Sequence, residues 1–181
     1  MSAEGTGCAF RIRQATSSDL PEMERIYERA RAFMAEHGNP TQWGPRRYPP
    51  RDRILSDIGQ GKAYVCLCGQ TVCAVFYYDY GRDPEPTYLE PVEGEWFAPG
   101  PYGVVHRIAS DGSVRGAGRF CLRWAMERAG HIRIDTHKNN SVMQNLLTSL
   151  GFCRVGVIRL PEATDNLRLA YEWTGEKKQE L

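Results

Sequence analysis

Residues 104–136 read VVHRIASDGSVRGAGRFCLRWAMERAGHIRIDT, and the order of elements in this stretch decides the class of fold. Val104–Ala109 has the apolar, β-branched start of a strand. A glycine-containing turn follows, and the spacing predicts a helix near 116–129. Arg119, Arg123 and Glu127 recur at intervals of four on its wet side, while Phe120, Cys121, Leu122, Trp124, Ala125 and Met126 cover the rest. His131–Thr136 is a second strand. Two strands joined through a crossover helix must run parallel.

Working outward, the chain before this unit calls for antiparallel pairing. Ala63–Cys68 and Thr71–Tyr80 are two apolar strands joined at Gly69-Gln70 as a tight hairpin. Upstream, Phe10–Ala15 alternates as a short half-buried strand. Asp19-x-x-Glu22 reads as a helix N-cap with its return partner, with Pro21 tolerated in the first turn. Met23, Ile26, Tyr27, Ala30, Phe33 and Met34 form the apolar stripe of that helix. Gly38-Asn39-Pro40 stops it, TQWGPRRYPP is loop, and a short helix runs from Arg51 to Ile58. Downstream, Ser141-x-x-Gln144 reads as a capping box opening a helix striped by Met143, Leu146, Leu147 and Leu150, with Gly151 as its stop. Strands at Phe152–Ile158 and Leu167–Trp173 complete the set. The expectation is a mixed α/β (α+β) fold, with a mostly antiparallel sheet, one parallel pair and helices on both faces. A lead at 1–9, a single domain at 10–175 and a polar tail at 176–181 make up the chain.

Composition narrows the functional classes. A chain of 181 residues with 41% hydrophobic and 25% charged side chains suits one soluble domain, able to bury about 70% of its unfolded surface. The net charge of +1 predicts no polyanion-binding face, so no nucleic acid is expected as a partner. No apolar run reaches the roughly 20 residues that cross a bilayer, and the start MSAEGTGCAF has no signal-peptide pattern. Neither a membrane partner nor export is expected. Six cysteines, irregularly spaced and mostly within apolar stretches such as YVCLC and RFCLRW, read as core packing in a reducing cytoplasm. Cys66-x-Cys68 lacks the second pair that a zinc site needs.

One segment stands apart. Gly81–Gly103 holds five prolines and four glycines together with Tyr88, Trp96, Phe97 and Tyr102. Linkers seldom carry so many large rings, so the expectation is an ordered loop packed on the domain, of the length that usually serves function.

Two constellations carry chemistry. In Ser113-Val114-Arg115-Gly116-Ala117-Gly118, glycines at a strand-to-helix junction let a ligand approach the backbone. Free N–H groups of the first helical turn favour an anion there, most naturally a phosphate. The competing reading is a tight turn that eases the helix start. The spacing matches neither the dinucleotide-binding fingerprint nor a Walker A loop. In Ile134-Asp135-Thr136-His137-Lys138-Asn139-Asn140, polar residues lie beyond the carboxyl end of a parallel strand, where ligands collect. Asp135-x-His137 invites a metal, but no third ligand stands at useful spacing. A polar turn satisfied by its own backbone is the alternative.

Taken together, V-x-R-I-A-S, S-V-R-G-A-G-R and I-D-T-H-K-N-N-S-V-M-Q-N-L-L-T-S-L-G-F resemble the GNAT family of N-acetyltransferases, with the element order matching from about Phe10 to Trp173. The resemblance implies acetyl-CoA as cosubstrate and no metal. It implies that Val114, Arg115, Gly116, Ala117, Gly118 and Arg119 hold the pyrophosphate through backbone amides. Ile108, Ala109 and Ser110 would bond the pantetheine as an added strand, with Asn140 meeting the same arm. Two departures stand out. Ser113 replaces the family's usual Gln or Arg, and Leu147 replaces the frequent Tyr that protonates the leaving thiolate.

The reaction implied is direct attack of an amine on the thioester through a tetrahedral intermediate. An alkylamine is mostly protonated at neutral pH, so a base is needed. His106 is the first candidate, and a hydrogen-bonded core histidine is the competing reading; Asp135, His137 and Glu95 follow. The Ile108 N–H would polarise the thioester carbonyl. Trp43, Tyr48, Glu95 and Trp96, on Gly/Pro loops, are candidates to line the site of a small-molecule or peptide amine, in a monomer or homodimer. A non-catalytic acyl-CoA-binding module, or an interaction protein using the 81–103 loop, is the alternative.

Overall fold

The computed structural model describes residues 8–162 and 164–175. Of the lead and tail expected at the two ends, all but Cys8 and Ala9 lie outside them. Eight strands form one sheet: β1 (Phe10–Gln14), β2 (Ala63–Cys68), β3 (Thr71–Gly81), β4 (Glu93–Gly94), β5 (Tyr102–Ser110), β6 (His131–Thr136), β7 (Cys153–Arg159) and β8 (Leu167–Thr174). The spatial order is β1-β2-β3-β5-β6-β8-β7-β4. Only β5 and β6 run parallel, as the strand–helix–strand unit requires; every other neighbouring pair is antiparallel.

Four helices, α1 (Leu20–Glu36), α2 (Arg51–Gly59), α3 (Ala117–Ala129) and α4 (Ser141–Ser149), divide between the two faces. On one, Met23, Ile26, Tyr27 and Ile54 of α1 and α2 close over Val65 and Val75. On the other, Cys121, Leu122 and Ala125 of α3 and Leu147 of α4 pack with Phe76, Val105, Ile132 and Ile134. Each fully buried aliphatic side chain contributes about 1.5–3 kcal/mol relative to exposure. These two layers therefore supply most of the hydrophobic stabilisation. Phe33 falls off the expected stripe of α1; it is exposed and stacks on His37.

Three local expectations are corrected. Asp19 does not cap α1 with its side chain. Its carboxylate accepts the Thr16 N–H at 2.8 Å and forks to Arg13 at 2.7 and 2.8 Å, because a 3-10 turn at Ser17–Asp19 precedes the helix. Asn140, not Ser141, caps α4, with Oδ1 accepting the Met143 N–H, while Gln144 reaches back to the carbonyls of His137 and Lys138. Asparagine caps as well as serine, so one residue of register shifts. Cys8 and Cys68 form a disulfide, whereas Cys66, Cys73 and Cys121 are buried free thiols, as core packing predicts.

The 81–103 segment is packed, not extended. It adds the two-residue strand β4 to the outer edge of β7 and buries Tyr88 against Val104, Ile158 and Ala170. Its return is pinned by Glu172, fully buried, which accepts the backbone N–H of Phe97 and meets His131 at 2.6 Å and Arg133 at 3.2 Å. Arg133 in turn donates to the Ala98 carbonyl and lies between the rings of Trp96 and Tyr102. Burial alone would raise the Glu172 carboxyl, but these donors and cations draw it below its ordinary range. Glu172→Ala strands the buried Arg133 guanidinium and leaves the His131 ring without its partner. It is expected to cost about 3 kcal/mol in urea unfolding and to open the 90–100 region to limited proteolysis.

Candidate active site

The site begins where the sheet comes apart. Parallel pairing between β5 and β6 is confined to Gly103 with Ile132 and Val104 with Arg133. Past those pairs the strands diverge, and the β5 edge from Val105 onward has no strand partner on that side. A bulge in β5 accompanies the divergence. Between Val75–Ala109 and Tyr77–His106, two β5 residues face one on β3. Arg107 within it takes a left-handed backbone with φ of 52°, a conformation that costs a non-glycine residue about 1–2 kcal/mol. The strain is held by a buried set of partners. Arg107 Nε donates to Asp57 Oδ2 at 2.8 Å, its guanidinium covers the Tyr77 ring, and its carbonyl accepts the Tyr27 hydroxyl.

A cleft of about 750 Å3 opens at the divergence. Its walls come from the 39–48 loop, the 81–103 segment, the diverging strands and the loop between β7 and β8. His106, Ile108, Asn140, Trp43 and Tyr48 all line it. Tyr48 is held there by Arg107, which donates to its hydroxyl at 3.1 Å. Trp43 is buried edge-on to Tyr27. Asn140 gives its Nδ2 to Gln42 Oε1, tying α4 to the 39–48 loop.

Glu95 and Trp96 are not in this lining. Glu95 is exposed, and Trp96 is spent on the loop's own packing, donating to the Tyr88 carbonyl at 2.7 Å. Aromatic composition could not separate Trp96 from Trp43, because which ring faces the cleft depends on how each loop docks. His137 is likewise removed from candidacy as a base. It is 1% exposed, with Nε2 on Asp165 and Nδ1 accepting the Asn139 N–H.

The 114–119 turn lies outside the cleft walls, at the N-terminus of α3 just past the free end of β5. Gly116 has φ of 91°, and a side chain added there would meet nothing within 4 Å. Among the described residues no side-chain cap bonds this helix start, where the first-turn N–H groups have no partner within the helix. Arg119 is drawn aside to Ser149 Oγ at 2.7 Å. An open, uncapped terminus beside an unpartnered strand edge fits a diphosphate followed by an extended amide chain. Thr136 adds a buried hydroxyl without a partner on the β6 side of the cleft.

Deep in the cleft His106 stands between two carboxylates. Nε2 lies 2.9 Å from Glu85 Oε2, out of line for a good hydrogen bond, and Nδ1 lies 3.9 Å from Asp135 Oδ2. Asp135 accepts the hydroxyl of the fully buried Tyr88 at 2.7 Å. Burial pushes that phenol well above its ordinary range. Glu85 and Tyr88 were not candidates from sequence, and their only signal was membership of the proline- and ring-rich 81–103 stretch. Among the described residues no group of three or more His, Cys, Asp or Glu is arranged to hold a metal ion, and no helix is long and apolar enough to cross a membrane.

No protein-family model matches the sequence, and no curated protein matches it significantly. Solved structures do. An acetyltransferase of the GNAT family from Streptococcus agalactiae superposes with a TM-score of 0.82 at 29% identity, over 93% of this chain and 96% of that one. The ribosomal-protein-S18-alanine N-acetyltransferase of Escherichia coli follows the same fold, with a TM-score of 0.61 at 15% identity over 96% and 99% of the two chains. So does a polyamine N-acetyltransferase of Drosophila melanogaster, with a TM-score of 0.58 at 14% identity over 92% and 100%. The chain thus has the GNAT fold, as its strand order suggested, and its likeness to these acetyltransferases supports an acyltransferase.

Burial would raise the Glu85 carboxyl, yet His106 beside it and the Thr87 N–H and hydroxyl bring it down from 4.5 to about 2. With a folded-state value below that of the unfolded chain, this carboxylate contributes stability above about pH 4.5, and the contribution fades as pH falls toward about 2. Thermal melts should therefore show wild type losing more stability than Glu85→Gln between pH 6 and pH 3, a window set by this shift.

Proposed function

We propose that the protein moves an acetyl group from acetyl-CoA to an amine by direct attack, with no acyl-enzyme. The observation that carries this reading is the divergence of β5 from β6 after two residue pairs, which leaves a strand edge free between the open Gly116 turn and the His106 cleft. Backbone amides of Val114–Arg119 take the diphosphate. The free edge at Ile108, Ala109 and Ser110 runs beside the pantetheine, with Asn140 and Thr136 facing it from β6 and α4. In this reading the Ile108 N–H polarises the thioester carbonyl.

The acceptor enters from the opposite mouth, past Trp43 and Tyr48. Glu85 draws Nε2 of His106, which leaves Nδ1, too far from Asp135 to be bonded to it, as the nitrogen that accepts the amine proton. The amine nitrogen forms its bond to the acetyl carbon, and the tetrahedral intermediate collapses with cleavage of the C–S bond. The electron pair leaves on sulfur, and the thiolate takes its proton from the imidazolium or from water. No side-chain hydroxyl stands at position 147 to supply it, because Leu147 is fully buried in the core. The free thiols have no part in this route, and the exposed one, Cys153 on β7, lies outside the cleft lining. Cys66, Cys73 and Cys121 are sealed in the core, and burial pushes the Cys73 thiol up to about 12.

Two measurements test the reading. Gly116→Glu places a carboxylate at the diphosphate position and forces a side chain into a left-handed backbone. Calorimetry should show acetyl-CoA affinity down by at least about 100-fold, against a loss of about 1–2 kcal/mol in stability. His106→Ala should bind acetyl-CoA as wild type does and turn over about 100-fold or more slowly near neutral pH. Full-rate turnover by that variant across the pH range would remove His106 as the base.

A further inference from the structure

The charges around the acceptor end of the cleft are not balanced. Each carboxylate in its wall has a partner on at least one oxygen, although Glu162 keeps Oε2 buried without one. Glu85 has His106, Asp135 has the Tyr88 hydroxyl, Glu162 has Arg46 at 3.5 Å and Asp165 has His137 at 2.9 Å. Three cations in the same wall, Arg53, Lys138 and Arg168, have no ion-pair partner among the described residues. Arg53 and Lys138 are exposed at the rim, where water satisfies them. Arg168 is only 7% exposed.

Arg168 is also held in place. Its Nη1 donates to the carbonyls of Asp165 at 2.7 Å and Leu167 at 2.9 Å, which fixes the guanidinium plane and leaves the remaining N–H donors for the cleft. The nearest counter-charge, the Asp165 carboxylate, acts on it only from beyond ion-pair distance and is itself bonded to His137, so an anion at the free donors would complete the site. The register says where that anion would lie relative to His106. Asp135, which faces His106, pairs with Ala170 on β8. Arg168 comes two residues before Ala170, so its side chain projects from the same face of the sheet, about 7 Å further along.

Resting on the transferase reading above, we propose that the acceptor is a short amino-carboxylic compound, an amino acid in the first instance. Its ammonium is drawn toward the Glu85–His106–Asp135 group, and its carboxylate is bound by Arg168. Arg168 and Asp135 project from one sheet face into one cleft, so a short acceptor can meet both groups at once. A planar guanidinium matches a carboxylate bidentately, and a buried charged hydrogen bond of this kind discriminates strongly against a neutral isostere. The acceptor site is polarised, acidic toward the reacting nitrogen and basic toward the far end. A polyamine would place a second cation against Arg168 and be disfavoured.

The test uses the full chain with acetyl-CoA and a panel in which each amino acid is paired with its amide and its decarboxylated amine. Acetylated product is followed by mass spectrometry and by thiol release. The acids are expected to exceed their amides in kcat/KM by about 10- to 100-fold. Arg168→Gln should raise KM for the acids by a similar factor, leave the amides nearly unaffected and leave acetyl-CoA affinity unchanged in calorimetry. Arg168→Lys, which keeps the charge and loses the fork, should fall between the two. It serves as the deciding variant if the glutamine form does not fold. Equal use of acids and amides, no acid accepted at all, or an equal loss on both in the Arg168 variants overturns the proposal while leaving the transferase reading intact. Failure of wild type to bind acetyl-CoA instead overturns the transferase reading, and this assignment with it.

Discussion

Beyond Val104 and Arg133, two neighbouring parallel strands cease to hydrogen-bond, and the rest of the molecule is arranged around that break. A strand edge with unpaired donors and acceptors inside a protein is unstable unless something else pairs it. Here the break is kept open by a bulge whose strained residue, Arg107, is locked by Asp57, Tyr48, Tyr77 and Tyr27. Those partners come from α1, α2, the loop between them and β3. The first half of the chain thus holds open a crevice that belongs to the second half. The helix start at Gly116 and the capped start of α4 at Asn140 both stand at the open end, and both present groups that suit an extended, phosphate-bearing carrier.

The 81–103 segment closes the other side of the cleft, and its anchoring explains why so irregular a stretch is ordered. Glu172, Arg133 and His131 make a buried polar knot that takes up the backbone at Phe97 and Ala98. Tyr88 and Tyr102 supply the apolar contact on the same sheet face. Fixed in this way, the segment delivers Glu85 and Tyr88 to His106 and Asp135. The cluster around His106 is therefore assembled from a loop and two strands, with each member oriented by the next.

Much of the framework was legible in the residues. Alternation and helical spacing placed β2, β3, β6 and α3 within a residue or two, and the strand–helix–strand unit at 104–136 required the parallel pair. The glycine turn could be read as a helix start, because Gly116 takes the left-handed backbone there, with φ of 91°. Local chemistry misled where two residues could serve equally. Asp19 has a stronger attraction to Arg13 than to a helix terminus, and Asn140 outcompetes Ser141 for the cap of α4. Trp43 and Trp96 read alike, yet only Trp43 faces the cleft, because orientation on a loop carries no periodic signal.

What the linear chain determined by itself is the set of elements, their order and the parallel crossover, since these follow from side-chain periodicity and turn chemistry over a few neighbouring residues. It also carried His106 and the Gly116 turn, whose types are informative in isolation. Only the tertiary structure decided where the sheet opens, which carboxylates face His106 and which buried cation lines the cleft. Glu85 and His106, or Arg168 and Asp135, lie 21 and 33 positions apart in the chain. Their proximity is set by strand register and loop docking, which depend on contacts distributed over the whole domain and leave no local trace in the sequence.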